Sequence, residues 1–209
     1  MNLPLFSRHY ALSTAGRVRS PWAVESSISL AEVVTLLVCG AAAAVSVLLI
    51  DFKLKIPGHA IMRAVFPMAL GLAIVPRRGA GTIMGAGALA TAALLMSGGW
   101  VEKGLGSLTS LTMIGPMLDL VMRRAAPRGR IYWSFIAAGV ATNLAAFLVQ
   151  ATAKYFGWET SGGGKSLAVW MWPAVLSFPV WGALAGLISA ATWFRWNTET
   201  SPEVSEDRS

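Results

Sequence analysis

The chain has 209 residues, of which 55% are hydrophobic and only 13% are charged, and its mean hydropathy is +0.60. Soluble domains carry about 25% charged residues, so this composition excludes an ordinary soluble domain and predicts an all-α, polytopic membrane protein. The formal net charge of +7 favours basic loops that face an anionic membrane surface over nucleic-acid binding. The single cysteine, Cys39, excludes an intramolecular disulfide.

Six apolar segments follow one another along the chain, each near the roughly 20 residues that a helix needs to cross a bilayer. Their approximate limits are 28–50, 56–76, 79–99, 104–122, 131–153 and 167–194. Glycines four residues apart, Gly81 with Gly85 and Gly182 with Gly186, predict close helix packing. Pro67 predicts a kink in the second span.

The six spans make one membrane domain, residues 28–194, between two polar ends. Residues 1–27 are basic and have no apolar signal-peptide core, and the polar tail, residues 195–209, is predicted to be disordered. With both ends in the cytoplasm, eleven Lys and Arg fall on the inner side and six on the outer side. This bias predicts an N-in, C-in topology.

The stretch from Asp51 to Arg77 is the most informative of the chain. Only 13 residues separate Arg63 from Arg77, so a span here must carry His59 and Arg63 inside the membrane. An arginine at mid-membrane costs roughly 2.5–3.5 kcal/mol, so such groups usually face other helices or a wet cavity. His59 and Arg63 share one helix face and are predicted to bind a polar or anionic solute from the outer side. The alternative is an arginine that snorkels to the headgroups.

Further polar and aromatic side chains are candidates for the same solute. Asn143 and Gln150 are seven residues apart and share a face of the fifth span, where amides either bind a polar solute or form hydrogen bonds between helices. Trp170 or Trp172 is predicted to stack on a ring of the solute. The preceding loop, residues 51–58, is either a short lid or a simple connector.

Two charged positions and one loop have simpler interpretations. Asp119 precedes Arg123 by four residues, which predicts an ion pair on one helix or a docking point for a partner subunit. Glu32 is predicted to lie at the inner interface. The segment Glu159–Ser166 ends in GKS, but it lacks the first glycine of a phosphate-binding loop and is predicted to be a connector.

No enzyme is predicted. The sequence has no HExxH, no GxSxG and no paired carboxylates within the spans, and its histidines and single cysteine are too few for a conventional metal cluster. No metal and no cofactor is therefore expected.

The six-span layout, the length near 200 residues and the small-residue run Cys39–Ser46 resemble the substrate-binding S components of energy-coupling factor (ECF) transporters. Two stretches add to the resemblance: PGHAIMRAVFPMALGLAIVPRRGAGTIMGAG, and GSLTSLTMIGPMLDL with its GP-x-x-D pattern. The resemblance covers about residues 28–194. It implies a multi-pass protein of the bacterial inner (plasma) membrane, a vitamin-like solute or a metal held near the outer face, a membrane coupling subunit and two cytoplasmic ATPases. The chain begins MNLPL instead of the Met-His terminus of the metal-specific members.

In that family small residues of the first span contact the coupling subunit, and Gly40, Ala41 and Ala44 match them here. The sequence thus predicts a solute-binding S component, with a small-molecule solute, membrane lipids and these subunits as partners, and no nucleic acid. One alternative is a structural or assembly membrane protein without a small ligand. Another is a self-contained secondary transporter, although inverted repeats and a deep carboxylate are not evident.

Overall fold

The computed structural model describes residues 28–50, 57–100, 104–122, 128–158 and 167–195, and within these ranges every regular element is an α-helix. The six helices are α1 Leu30–Leu49, α2 Ile61–Ile74, α3 Ala80–Ser97, α4 Leu105–Met122, α5 Arg128–Tyr155 and α6 Leu167–Arg195. The all-helical class predicted from the sequence is confirmed for these residues. The predicted N-terminal segment and nearly all of the predicted tail lie outside them.

Five of the described helices are long and apolar enough to cross a membrane, and α2 is the exception. The chain is therefore a multi-pass α-helical membrane protein. The predicted second span, 56–76, is a helix of only 14 residues, because the turn 57–60 precedes it and the chain leaves the helix at Val75. Pro57 and Gly58, with φ of +85° at Gly58, favour that turn over a helix.

The helices form a ring in which α1 contacts α3, α3 contacts α4, α4 contacts α5, α5 contacts α6, and α2 lies between α6 and α1. Half of the residues of α2 are fully enclosed, including Ile61, Val65, Met68 and Leu72, and α2 also touches α3, α4 and α5. The shortest helix is thus the most central one, and its apolar side chains form the middle of the main core.

Glycines bring neighbouring backbones into contact at three helix crossings. A Cβ on Gly40 of α1 would collide with the carbonyl of Met84 on α3. Gly81 of α3 faces Gly115 of α4, and Gly139 of α5 faces Gly182 of α6, in the same way. The predicted close approach at Gly81 and Gly182 is confirmed. Small residues let membrane helices gain dispersion contacts that lipid cannot replace.

The bundle has two ends, each identified by residues that lie there. The Arg77 end contains Ser29, Arg77 and Met122, and the Trp100 end contains Leu49 and Trp100. Helices α1 and α2 are antiparallel, since Glu32 contacts Arg77 and Ser46 contacts Arg63. The hairpins α3–α4 and α5–α6 are antiparallel as well, so the Trp100 end also holds the start of α6 and the end of α5.

Candidate functional site

Exposed aromatic rings mark where the membrane boundaries fall on the α5–α6 hairpin. Trp133 and Tyr155 are exposed on α5 and lie 22 residues apart, which is about 33 Å along a helix. On α6, Trp172 is exposed, and the half-buried Trp193, whose Nε1 donates to the Phe66 carbonyl, lies 21 residues farther along, about 32 Å along the helix. A hydrocarbon core is about 30 Å thick, and such rings favour its two interfaces. The boundary at the Trp100 end therefore passes near Tyr155 and Trp172.

Helix α2 begins below that boundary, inside the bundle. The turn before it packs on α6, where a Cβ on Gly58 would lie 3.1 Å from the Cα of Phe178. Phe178 is six residues beyond Trp172, about 9 Å along the helix. The length of α2 agrees, since 14 residues cover about 21 Å of the 30 Å core and leave about 9 Å. The turn with His59 therefore lies about 9 Å nearer the middle of the bundle than Trp172.

Arg63 joins α2 to the end of α1. Its side chain is half-buried, and its Nη1 donates to the carbonyl oxygen of Ser46 at 3.4 Å. Ser46 lies in the last turn of α1, where carbonyl groups lack helical partners and the helix dipole favours a cation. Arg63 therefore stabilises the end of α1 while holding its guanidinium inside the bundle. His59, four residues earlier, is also half-buried.

Asn143 of α5 is 1% exposed and joins three elements. Its Nδ2 donates to the carbonyl oxygen of Gly58 at 3.1 Å and to that of Phe178 at 2.6 Å. Both partners are carbonyls, so the orientation of the amide is determined by the network. Of the two roles that the sequence left open for Asn143, the structure shows interhelical hydrogen bonding.

The other predicted solute contacts lie in different surroundings. Gln150 is half-buried against α4, where a Cβ on Gly106 would be 3.1 Å from its Oε1. Trp170 is only 4% exposed. It stacks on Phe147 with ring centroids 5.8 Å apart, and the Lys154 Nζ lies 5.5 Å from the centre of its ring. Trp170 therefore packs within the chain beside Phe178.

Trp172 is 76% exposed on the outside of the bundle, where a membrane protein meets lipid. The structure places His59 in the turn 57–60 before α2 and Arg63 in the first turn of α2, with Asn143 bonded to the same turn. It places Gln150 and Trp170 farther toward the Trp100 end, and it leaves Trp172 apart from all of them.

The predicted partner-docking residues lie on α1. Gly40 and Ala44 are enclosed in the bundle, with Gly40 against the backbone of Met84, and Ala41 is half-buried. In this structure Gly40 packs α1 onto α3, so only Ala41 is accessible from outside. Their contact with a coupling subunit stays a prediction.

A second polar site, at the Arg77 end, was not anticipated. Asp119 of α4 is 7% exposed, and its carboxylate binds the first turn of α3. Oδ1 accepts from the Gly81 N–H at 2.9 Å, and Oδ2 accepts from the N–H and the hydroxyl of Thr82 at 2.8 and 2.6 Å. Gly79, the N-cap of α3, offers no side-chain cap. Asp119 therefore caps α3 from the neighbouring helix, where the helix dipole favours an anion.

Glu32 has a similar role at the start of α1. It forms a capping box with Ser29, and its Oε1 lies 3.2 Å from Nη2 of Arg77, which precedes α3. Two sequence features indicated these contacts: Glu32 is an acid in the first turn of α1, and Asp119 is an aspartate within a span. The expected partner of Asp119, Arg123, lies outside the described residues, as do most of the predicted lid and the segment Glu159–Ser166.

Within the described ranges, no three residues among His, Cys, Asp and Glu are grouped as a metal site. No protein-family model matches the chain. Searches of curated proteins and of solved structures also return no match. The function must therefore be argued from the geometry of the chain itself.

Proposed function

We propose that this chain is the membrane-embedded solute-binding subunit of an importer, of the S-component type that its sequence resembles. It would capture a small, vitamin-like solute from the outer side of a bacterial plasma membrane, with both chain ends in the cytoplasm. It would work with a membrane coupling subunit and cytoplasmic ATPases. The solute would bind at the Trp100 end, above the start of α2.

The observation that carries the proposal is the depth of that start. Helix α2 has only 14 residues, and the turn before it packs on Phe178, about 9 Å along α6 from Trp172. His59 lies in that turn and Arg63 in the first turn of α2, both half-buried. Ionisable side chains at such depth usually face a wet cavity or a ligand path. His59 and Arg63 would bind a polar or negative group of the solute, and Gln150 would provide a further amide.

A second function is favoured by a specific observation. Asn143, Trp170 and Gly40 all contact other parts of the chain, and Arg63 binds the end of α1. A structural or assembly membrane protein without a small ligand would use these residues in the same way. The experiment must therefore separate a bound solute from internal packing.

Native mass spectrometry of protein purified from its host in mild detergent makes this separation. The proposal predicts a defined added mass on the wild-type protein, retained in Arg78→Ala and lost in Arg63→Ala. Arg78 is an exposed arginine at the opposite end and is the matched control. Because Arg63→Ala also removes the bond to α1, His59→Gln serves as a second variant that keeps this bond.

A bare mass for wild type, together with no binding across a panel of vitamins and metal ions, would overturn the proposal. That result would favour the structural protein. An added mass that survives both Arg63→Ala and His59→Gln would place the solute elsewhere in the chain.

A further inference from the structure

Both N–H donors of the Asn143 amide are bonded within the chain. A neutral amide has two N–H donors on one nitrogen, and the two carbonyls of Gly58 and Phe178 occupy both of them. Asn143 therefore has no donor left for a solute while these bonds hold. As a donor, Asn143 therefore contributes to a site at the start of α2 only through the position of the turn that it binds.

The two bonds lie at the tight turn before α2. Gly58 has φ of +85°, and a Cβ there would lie 3.2 Å from the Asn143 Nδ2, so the turn fits tightly against α5 and α6. The N-cap residue of α2, Ala60, provides no side-chain cap. Arg63 bonds the start of α2 to α1, and the bond from Asn143 to Gly58 attaches the turn before α2 to the long α5–α6 hairpin.

We infer that Asn143 is a positioning residue: its two hydrogen bonds hold the start of α2 against α5 and α6, and so determine the depth at which His59 and Arg63 lie. The role of those two side chains rests on the proposed function, whereas the attachment itself does not. Removing the amide donors releases the turn 57–60 and leaves the glycine contact between Gly139 and Gly182 in place.

Hydrogen–deuterium exchange of the ligand-free protein in detergent tests this inference. Asn143→Leu keeps the side-chain size and removes both donors. Thr142→Val is the matched control, because Thr142 is equally buried and its hydroxyl has no hydrogen-bond partner among the described residues. In Asn143→Leu we expect amides of residues 58–66 to exchange about five- to tenfold faster than in Thr142→Val, with residues 32–45 of α1 unchanged.

Equal exchange at residues 58–66 in the two variants would overturn the positioning role, and so would a uniform acceleration through all helices. If Asn143→Leu does not fold, Gly58→Ala disturbs the same attachment from the other side and must accelerate the same amides. No solute enters this experiment. A negative result therefore rejects the attachment without touching the proposed solute, and a missing solute leaves the attachment intact.

Discussion

The two ends of the bundle are held together by different chemistry. At the Arg77 end, carboxylates connect the helices: Asp119 caps α3 from α4, and Glu32 contacts Arg77. At the Trp100 end, the contacts of the described residues include the neutral amide of Asn143, the bond from Arg63 to the Ser46 carbonyl, and Lys154 beside the Trp170 ring. Bonds to a charged group are roughly twice as strong as neutral ones. Each bond to Asp119 is therefore expected to contribute more to stability than each neutral bond of Asn143.

The two networks also differ in what the loss of one side chain leaves without a partner. Three donors of α3 converge on a single carboxylate at the Arg77 end, so separating α3 from α4 there leaves the buried Gly81 N–H and two part-buried donors of Thr82 without their acceptor. At the Trp100 end, loss of Asn143 leaves two carbonyls, which are more readily satisfied by water.

The largest effect is expected from Asp119→Ala. This change leaves two backbone N–H groups and the Thr82 hydroxyl without their acceptor, and should lower the free energy of unfolding by roughly 2–4 kcal/mol. Chemical unfolding in detergent measures it. Thr82→Val removes only the hydroxyl bond and should lose roughly 1 kcal/mol. Equal stability of Asp119→Ala and wild type would contradict the role of Asp119 as the cap of α3.

A smaller effect is expected from Trp170→Leu at the other end. The change removes the stack on Phe147 and the contact with Lys154, and should lower the free energy of unfolding by roughly 1–2 kcal/mol. Trp172→Leu is the matched control two residues away, and its exposed ring should contribute close to nothing to folding in detergent. A larger loss in Trp172→Leu than in Trp170→Leu would reverse the assignment of these rings.

The smallest effect is expected from the ion pair of Glu32 and Arg77. Both side chains are about a quarter exposed, and such pairs contribute roughly 0.2–1 kcal/mol. A double-mutant cycle with Glu32→Gln and Arg77→Gln should give a coupling energy in that range, decreasing at high salt. A coupling energy larger than that between Asp119 and Thr82 would show that Glu32, and not Asp119, makes the stronger contact.

Much of the fold could be predicted because its causes are local. Runs of apolar residues determine the helices, and glycine pairs such as Gly182 with Gly186 indicate where backbones meet. The length of α2 could not be obtained in this way, since it depends on a turn held by Asn143 from 85 residues away. The cap of α3 was missed for the same reason: Asp119 lies 38 residues beyond Gly81, and its nearest charge in sequence, Arg123, suggested a local pair.

The candidate site was predicted in part. His59 and Arg63 could be singled out because charge inside an apolar run is rare and expensive, but only Arg63 lies in α2, since His59 belongs to the turn before it. Which aromatic ring faces the bundle could not be decided, since Trp170 and Trp172 differ only by the rotation of α6. The bond from Asn143 to Gly58 could not be predicted, because it depends on how the turn 57–60 packs against α5 and α6.

The central claim is that the start of α2 lies at membrane depth and is reached from the water. Electron paramagnetic resonance of a nitroxide at position 59, in a Cys39→Ala background in lipid bilayers, tests it most directly. Labels at Leu176 and Val180, which are exposed on α6 on either side of Phe178, give the reference for lipid at a similar depth. We predict that a water-soluble nickel chelate relaxes the label at 59, while only oxygen relaxes those at 176 and 180. Identical behaviour at all three positions would contradict the account, because no solute could then reach His59 and Arg63.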